Sequence, residues 1–476
     1  MINARRMIHR VLTPLGQQAA ALLEDLSSFH DAWSNQRSFV TTADIYHSDY
    51  KVTPATLQAF AEKESLHNPE AWEGLHQFLE DEYFSRFWSI QDTVWSKTLV
   101  IRTPSLEISW DVLCLAIEAA ILLSYGKSLP PAAANILASG YFRRHPNKPS
   151  GFHDWLIAEQ STMSLIPNDR MAVPMPIFED CEHGRVSVWP AWDMENNDSG
   201  LSIFETFARA ALVIGHVRFS LTTCIPQAAH KLPSWVPDWR YGQTRLLLNH
   251  PKSSFGASLL PDTFVIPDLN DGLTVELKIS GYQVDIVVET SCYLPPRRHC
   301  DHYDVYGADI LHFDEWFAFV KGIVGRQRRS EPAETDEFLL QFMDTVQARG
   351  CNTIWEHSMP VDRASRIERA RQFVDFFDCE DMNITPELRL FHAACFPAHG
   401  RRIGVTRKGR LGLFPEVTER GDIVAILDGC KVPIILRKIA GEDERFKNIG
   451  ESYVNGLMMG EMDSQTDCER KVFTII

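Results

Sequence analysis

The residues best suited to chemistry form a group of metal-ligand types near position 300. They are His299, Cys300, His302 and His312, with Asp301 and Asp304 nearby. Zinc favours such ligands, but structural zinc sites use regular spacings such as C-x₂₋₄-C with H-x₃₋₅-H, which this group lacks. A mixed polar loop explains the group more simply than a metal site does. We therefore predict no metal ligand and no cofactor from the sequence.

A second candidate is the pair Cys395 and His399, which could supply a thiol nucleophile and its base. Such partners normally come from segments that are distant in the sequence, and no oxyanion-hole signature accompanies this pair. The chain also contains no G-x-S-x-G, P-loop, H-E-x-x-H or G-x-G-x-x-G motif. No residue is therefore assigned a catalytic role.

The net charge and the hydropathy of the sequence limit which kinds of molecule the protein is expected to bind. The 476 residues carry a formal net charge of −16, which argues against general binding to nucleic acid or to anionic membranes. Neither a long apolar run typical of a membrane span nor a secretory leader is recognisable. The ten cysteines are scattered without a C-x-x-C pair, as expected for reduced thiols. The sequence thus predicts a cytoplasmic protein that binds neither nucleic acid nor membranes.

The elements that must position any site are clearest in residues 401–461. Turns at Gly409, Gly421 and Gly429 separate short β-branched runs, and glycine supplies the positive φ that hairpin turns need. Five runs at this spacing predict a small antiparallel barrel or curled sheet, because closure removes open strand edges. The runs are Ile403–Thr406, Leu411–Phe414, Ile423–Leu427, Lys431–Leu436 and Phe446–Val454.

Upstream segments are expected to complete this β-module. Strands are predicted at Thr263–Ile266, Leu273–Ile279 and Gln283–Val288, the last two separated by a turn at Ser280-Gly281. Helices are predicted between the two groups of strands, at Asp314–Val324, Asp336–Ala348, Val361–Asp378 and Pro386–Cys395.

The predicted fold class is α+β. A mainly helical N-terminal half packs on a small antiparallel β-barrel or sheet, formed by residues near 263–290 and 401–457, with a helical insertion between them. The predicted domains are a helical remainder at 1–240, a β-module at 241–300 plus 396–461, the insertion at 301–395 and a tail at 462–476.

Two aromatic segments stand out in the helical half. Phe84 and Trp88 belong to a helix with one aromatic face, and Ser109 is placed to cap an apolar helix that begins at Trp110. The stretch LPSWVPDW at 232–239 contains two tryptophans between prolines, which predicts a rigid strap that clamps two subdomains. A ligand platform is the alternative interpretation of this strap.

These segments resemble fungal heterokaryon incompatibility (HET) domain proteins, over about residues 82–112, 201–240 and 273–461. FSRFWSIQD, followed by a strand and EISWDVL, is similar to a family motif, with Asp92 where the family usually has Glu. The resemblance implies that the motif residues are structural or form an interaction surface. They are Arg86, Trp88, Gln91, Asp92, Trp110, Trp235, Pro237, Asp238, Trp239, Gly409, Gly412, Gly421, Asp422, Arg437, Gly456 and Glu461.

The resemblance implies recognition or signalling in fungal self/non-self discrimination, with other proteins as partners and without catalysis. The family's leading motifs, of the "LSYxWG" and "iDxxCINQ" types, are not found before Phe84. In the family that region has a Toll/interleukin-receptor-like α/β fold and is implicated in cell death. Either the start of the gene is missing, or the protein has taken another role. The alternative is an enzyme or accessory protein of secondary metabolism, with a pocket between the helical half and the β-module.

Overall fold

The computed structural model divides the chain into two compact units, Met1–Gly184 with Arg298–Tyr303 and Arg185–Arg297 with Asp304–Ile476. Among the residues that the structure describes, no helix is both long and apolar enough to cross a membrane. The described residues are 17–34, 64–85, 88–96, 98–102, 107–123, 130, 132–133, 136, 139–140, 143, 204–205, 208–209, 212, 221–224, 232–238, 248, 254–258, 260, 264–265, 276–295, 305–327, 335–349, 351, 362–375, 394–442, 444–461, 468 and 470–476.

The first unit is mainly helical around one apolar core. Its long helix α1, Gln17–Ser34, packs on two later helices of this unit. Side chains from these helices are almost fully buried, among them Leu22, Leu75 and Ile117. The other elements are α2 (Glu64–His67), α3 (Pro69–Leu79), α4 (Glu82–Ser85), α5 (Trp88–Trp95), β1 (Val100–Arg102), β2 (Glu107–Ser109) and α6 (Trp110–Leu123).

The aromatic face and the predicted cap are both present in this unit. Phe84 is buried, and its ring centroid lies 5.3 Å from that of Phe78 and 6.2 Å from that of Trp110. The backbone N–H of Val112 donates to Ser109 Oγ at 3.2 Å, which confirms the predicted N-cap of α6. How this helical unit sits against the β-module stays a prediction.

The second unit contains a closed ring of five strands. Strand β4 (Leu277–Leu294) pairs with β7 (Ile423–Leu427) on one side and with β11 (Arg470–Ile475) on the other. Strands β8 (Ile434–Lys438) and β9 (Arg445–Glu451) complete the ring between them. All neighbouring strands are antiparallel except β9 and β11. A closed barrel is therefore confirmed, but its strands are not the five predicted ones. The predicted runs Ile403–Thr406 and Leu411–Phe414 lie outside the ring, and one pair of ring strands is parallel.

Beyond the ring, the second half of β4 carries a sheet extension. Strand β5 (Arg401–Thr406) pairs with β4, β6 (Leu411–Pro415) pairs with β5, and β10 (Tyr453–Val454) pairs with β6. The short strand β3 (Phe264–Val265) also pairs with β4. Apolar side chains from the ring and from the extension meet in one buried cluster, which includes Val284, Phe414, Val424, Ile435 and Ile449.

Two details of the β-module differ from the sequence prediction. The expected turn at Ser280-Gly281 is wrong, because β4 runs unbroken through it. A Cβ on Gly281 would lie 2.5 Å from the carbonyl oxygen of Ile426, so this glycine permits close approach of two strands. The segment 462–476, predicted to be a tail, contributes β11, whose alternate residues Phe473 and Ile475 are buried.

The turn glycines and the helical insertion follow the prediction more closely. Gly409, Gly421 and Gly429 have φ of 77°, 98° and 75°, as the predicted turns require. The insertion contains α7 (Val305–Gln327), α8 (Asp336–Val346) and α9 (Arg363–Asp375). Thr335 caps α8 by accepting a hydrogen bond from the Phe338 N–H at 3.2 Å. The helix predicted at 386–395 lies mostly outside the described residues.

Candidate functional site

A fully buried ion pair lies within the β-module. Arg401 begins β5 and Glu451 ends β9, and both side chains have 0% exposure. An Nη2 atom of Arg401 lies 2.7 Å from Glu451 Oε1, and Nη1 donates to the Pro397 carbonyl oxygen at 2.6 Å. Glu451 also accepts from the Leu248 N–H at 2.8 Å. These bonds join three segments that are distant in the sequence, so the pair fixes how they meet.

The thiol of Cys351 lies within the electrostatic field of this pair. Burial is the main cause that raises the pKa of Cys351 to about 12; Arg401 lowers that pKa and Glu451 raises it. A thiol with so high a pKa is protonated at neutral pH, and protonated thiols are poor nucleophiles. Cys351 therefore behaves as a small buried apolar group.

A second ion pair joins Asp422, which precedes β7, to Arg437 of β8. The guanidinium makes two parallel bonds to the carboxylate, Nε to Oδ1 at 2.8 Å and Nη2 to Oδ2 at 2.9 Å. Arg437 also donates to the Val417 carbonyl oxygen at 2.7 Å. Hydrogen bonding to Asp422 is the main cause that raises the pKa of Arg437. This forked geometry holds the β6–β7 turn against β8.

Charged side chains also link the insertion to the sheet. Asp344 on α8 lies 2.5 Å from an Nη2 atom of Arg366 on α9 and 3.1 Å from Nη1 of Arg349. Burial is the main cause that raises the pKa of Tyr453 on β10, and the Asp344 carboxylate adds to it. The Asn455 side-chain amide donates to the Gln341 carbonyl oxygen of α8 at 3.4 Å. The cluster therefore ties α8 and α9 to the sheet extension.

The described part of LPSWVPDW turns back on the barrel. Trp235 is fully buried, and the Arg209 guanidinium carbon lies 5.9 Å from the centroid of its ring. The Ser234 N–H donates to the Ile476 carbonyl oxygen at 3.0 Å, and Ser234 Oγ accepts from the Asn448 N–H at 2.9 Å. Val236 N–H donates to the Pro233 carbonyl oxygen at 2.9 Å, which closes a turn. The segment is a buried anchor next to β9 and β11.

A third group of polar side chains lies on the outside of the β-module. Cys292 of β4 donates from Sγ to Glu315 Oε2 of α7 at 3.2 Å, and His312 Nδ1 lies 3.8 Å from the same carboxylate oxygen. Cys292 and Glu315 are exposed and His312 is half-buried. Burial and then the hydrogen bond to Glu315 raise the pKa of Cys292. This is the one described group of three His, Cys, Asp or Glu side chains with metal-ligand geometry.

The described residues thus outline a closed β-barrel with internal ion pairs, and a family model matches that region. The model of the Het-6 beta-barrel domain matches residues 383–476. This region belongs to the Het-6 beta-barrel family. The matched span holds every ring strand except β4, which the chain supplies from before the helical insertion. We call the ring together with its sheet extension the Het barrel. The resemblance to fungal heterokaryon incompatibility proteins is therefore confirmed.

A relative supports the same assignment. The chain is 32% identical over 71 residues to "Heterokaryon incompatibility protein 6, OR allele" of Neurospora crassa. The alignment covers 15% of this chain and only 10% of the length of that protein. No solved structure gives a significant match.

In the structure, the family-motif residues of the Het barrel form an ion pair, turns and close strand contacts. Asp422 and Arg437 come together as the forked pair, and Gly409 and Gly421 form turns. A Cβ on Gly412 would lie 2.7 Å from the Tyr453 carbonyl oxygen, so this glycine permits the pairing of β6 with β10. Gly456 has a φ of 74°. Glu461 accepts from the Met459 N–H at 2.7 Å.

The other motif residues are scattered or undescribed. Trp110 is buried in the first unit, Asp92 is partly exposed on α5, and Pro237 and Asp238 follow the buried Trp235. Arg86 and Trp239 lie outside the described residues, as do the side chains of Trp88 and Gln91. Their assignment as an interaction surface stays a prediction.

The structure describes only some of the sequence candidates for catalysis and metal binding. Cys395 and His399 are buried, with exposures of 0% and 2%. His299, Cys300 and His302 lie outside the described residues. Sequence reasoning missed Cys292 and Glu315 as neighbours of His312, although the spacing His312-x-x-Glu315 on a helix was a usable signal. It also missed Arg401, whose only signal was a charge at the start of a strand pattern.

Proposed function

We propose that this protein acts in recognition or signalling during fungal self/non-self discrimination, and that its ligand is another protein. The observation that carries the proposal is the match of residues 383–476 to the Het-6 beta-barrel domain. The relative from Neurospora crassa, which bears the name of a heterokaryon incompatibility protein, supports it. The family-model match lies in the carboxy-terminal region, so the Het barrel is the part assigned to this role.

The chemistry of the Het barrel favours a scaffold over a reaction centre. The buried charges Arg401, Glu451 and Asp422 are bonded to protein groups, and such charge pairs hold segments in a fixed arrangement. Catalytic acids and bases instead require access to a substrate. Cys395 and His399, the thiol and imidazole suggested by the sequence, are buried. We infer that the protein binds a partner without transforming it.

Deletion of the gene in the fungus that carries it, followed by pairing with other strains, tests this role. The gene is deleted, and the strain is paired with a panel of strains that react with the parent. Death of fused cells is scored with a vital dye. We expect the deletion to abolish the reaction in at least one pairing and reintroduction of the gene to restore it. Unchanged reactions in every pairing would overturn the proposal.

Two variants test whether the reaction between strains requires the folded barrel or depends only on the amount of protein expressed. Glu451→Gln leaves Arg401 without its carboxylate in the core and should fail to restore the reaction. Asp314→Asn changes an exposed carboxylate on α7 and should restore it fully. Immunoblots must show both proteins at comparable levels. A changed profile of small metabolites in the deletion strain, with all pairings intact, would instead support an enzyme or accessory role.

A further inference from the structure

The cluster of Cys292, His312 and Glu315 has the dimensions of a metal site. The sulfur of Cys292 lies 3.2 Å from Glu315 Oε2, and His312 Nδ1 lies 3.8 Å from that oxygen. The three ligand atoms all lie within 4.8 Å of one another. In tetrahedral zinc sites, with bonds of about 2.0–2.3 Å, neighbouring ligand atoms are about 3.3–3.7 Å apart. The two spacings to Glu315 bracket this range and the third is below 4.8 Å, so side-chain rotations suffice to bring the ligands to binding distance.

The elements that carry the ligands are fixed to one another. His312 and Glu315 are three residues apart on α7, which places them on one face of the helix. The next residue, Trp316, is fully buried, and its indole N–H donates to the Cys292 carbonyl oxygen at 3.1 Å. Phe313 is buried beside it, with ring centroids 5.9 Å apart. The ligand backbones are thus held in register by packing and by a hydrogen bond.

One imidazole nitrogen in the cluster has no hydrogen-bond partner among the described residues. His312 Nδ1 is shielded from solvent and makes no hydrogen bond in the described part of the chain. A buried polar atom without a partner costs free energy, so such an atom needs an explanation. A cation bound between the imidazole, the carboxylate and the thiolate would give this nitrogen a partner.

We propose that Cys292, His312 and Glu315 bind one Zn²⁺ ion, with water as the fourth ligand. A thiolate, an imidazole and a carboxylate form a donor set suited to zinc, whereas magnesium and calcium prefer oxygen ligands alone. On binding, the metal replaces the thiol proton of Cys292, which passes to solvent. The ion links β4 of the Het barrel to α7 of the insertion. This site does not depend on the proposed role in self/non-self discrimination.

Titration of the full chain with zinc and with cobalt tests the site. The protein is purified without a polyhistidine tag, stripped with a chelator and dialysed. We expect about one equivalent of zinc to bind, because the site offers three protein ligands and one water position. Cobalt in the same site should give a thiolate-to-cobalt charge-transfer band in the near ultraviolet and the intense visible absorption of tetrahedral cobalt.

Variants of each ligand have matched controls in the same protein. Cys292→Ser should abolish the charge-transfer band, whereas Cys468→Ser, which removes a partly exposed thiol elsewhere, should retain it. Glu315→Gln and His312→Ala should weaken zinc binding at least about tenfold, since loss of even an outer-shell partner typically costs about 10–100-fold. Asp314→Asn removes a neighbouring exposed carboxylate and should leave the affinity unchanged.

Two results would overturn the site. The first is a charge-transfer band that survives in Cys292→Ser, which would place the metal on other cysteines. The second is equal zinc affinity in Glu315→Gln and Asp314→Asn. Circular dichroism of the metal-free variants shows whether they fold. Because Cys292 and Glu315 are exposed, both substitutions should leave the metal-free fold intact.

Discussion

Replacing Glu451 with glutamine should strongly destabilise the Het barrel, because it leaves a buried guanidinium without its counter-charge. Both members of the Arg401–Glu451 pair have 0% exposure, and 2.7 Å separates the bonded atoms. Removing one partner of a buried ion pair typically costs about 3–5 kcal/mol. For a unit of this size, each kcal/mol lowers the melting temperature by about 2–4 °C, so the expected fall is about 6–20 °C.

A double variant separates the cost of the orphaned charge from the cost of losing the pair. In Arg401→Met with Glu451→Leu, no buried charge remains, and such replacements are often close to neutral. The Leu248 N–H, however, loses its acceptor, and an unsatisfied buried donor costs about 1–3 kcal/mol. The double variant should therefore be more stable than Glu451→Gln but less stable than the wild type.

Differential scanning calorimetry measures the shift in melting temperature, and urea unfolding measures the change in the free energy of unfolding. The chain also provides a matched control. Glu337 and Arg363 form a pair at 2.8 Å whose side chains are 57% and 61% exposed. Glu337→Gln should cost less than about 1 kcal/mol, as is usual for solvent-exposed pairs. Equal shifts for Glu451→Gln and Glu337→Gln would refute the reasoning. So would a double variant less stable than Glu451→Gln.

Four further predictions concern packing and pH. Gly281→Ala should destabilise the protein by about 1–3 kcal/mol or more in urea unfolding, because the new Cβ would meet the backbone of Ile426 at 2.5 Å. Gly322→Ala on α7, where an added Cβ would meet nothing within 4 Å beyond its own helix backbone, should stabilise it by about 0.5–1 kcal/mol. Trp235→Ala should cost about 3–5 kcal/mol, and an unchanged urea midpoint would contradict its burial. Burial in the folded state raises the pKa of Cys351 from 9.0 to about 12. The stability that the protonated thiol contributes to the free energy of unfolding is therefore fully present below pH 9 and is lost as the pH rises toward 12. Cys351→Ala should therefore lose less stability than the wild type across that interval, as measured by urea unfolding.

Local signals explain why most strands of the Het barrel could be predicted from the sequence. Turns at Gly409, Gly421 and Gly429 are encoded within three or four residues, and each has the positive φ that glycine permits. Gly281 looks the same locally, yet it serves close strand packing, which depends on Ile426 far along the chain. A glycine alone does not distinguish a turn from a close approach.

Long-range pairing explains what the sequence could not predict. Strand β11 lies beside β4 and β9, which are distant in sequence, and no turn signal marks its start. Likewise, Arg401 and Glu451 meet because β5 and β9 converge, and Cys292 meets Glu315 because α7 packs on β4. These contacts depend on the topology of the module, which periodicity within one element does not specify.

The closure of the ring through β11 has a consequence for biosynthesis. While the ribosome is still translating the insertion, β4 has been made but neither of its ring neighbours, β7 and β11, exists. The nascent chain must therefore keep a long strand with open edges from pairing with other polypeptides, which is a known route to aggregation. Contacts between such distant segments also slow folding. Limited proteolysis should accordingly find β4 fully protected only once β11 is available to pair with it.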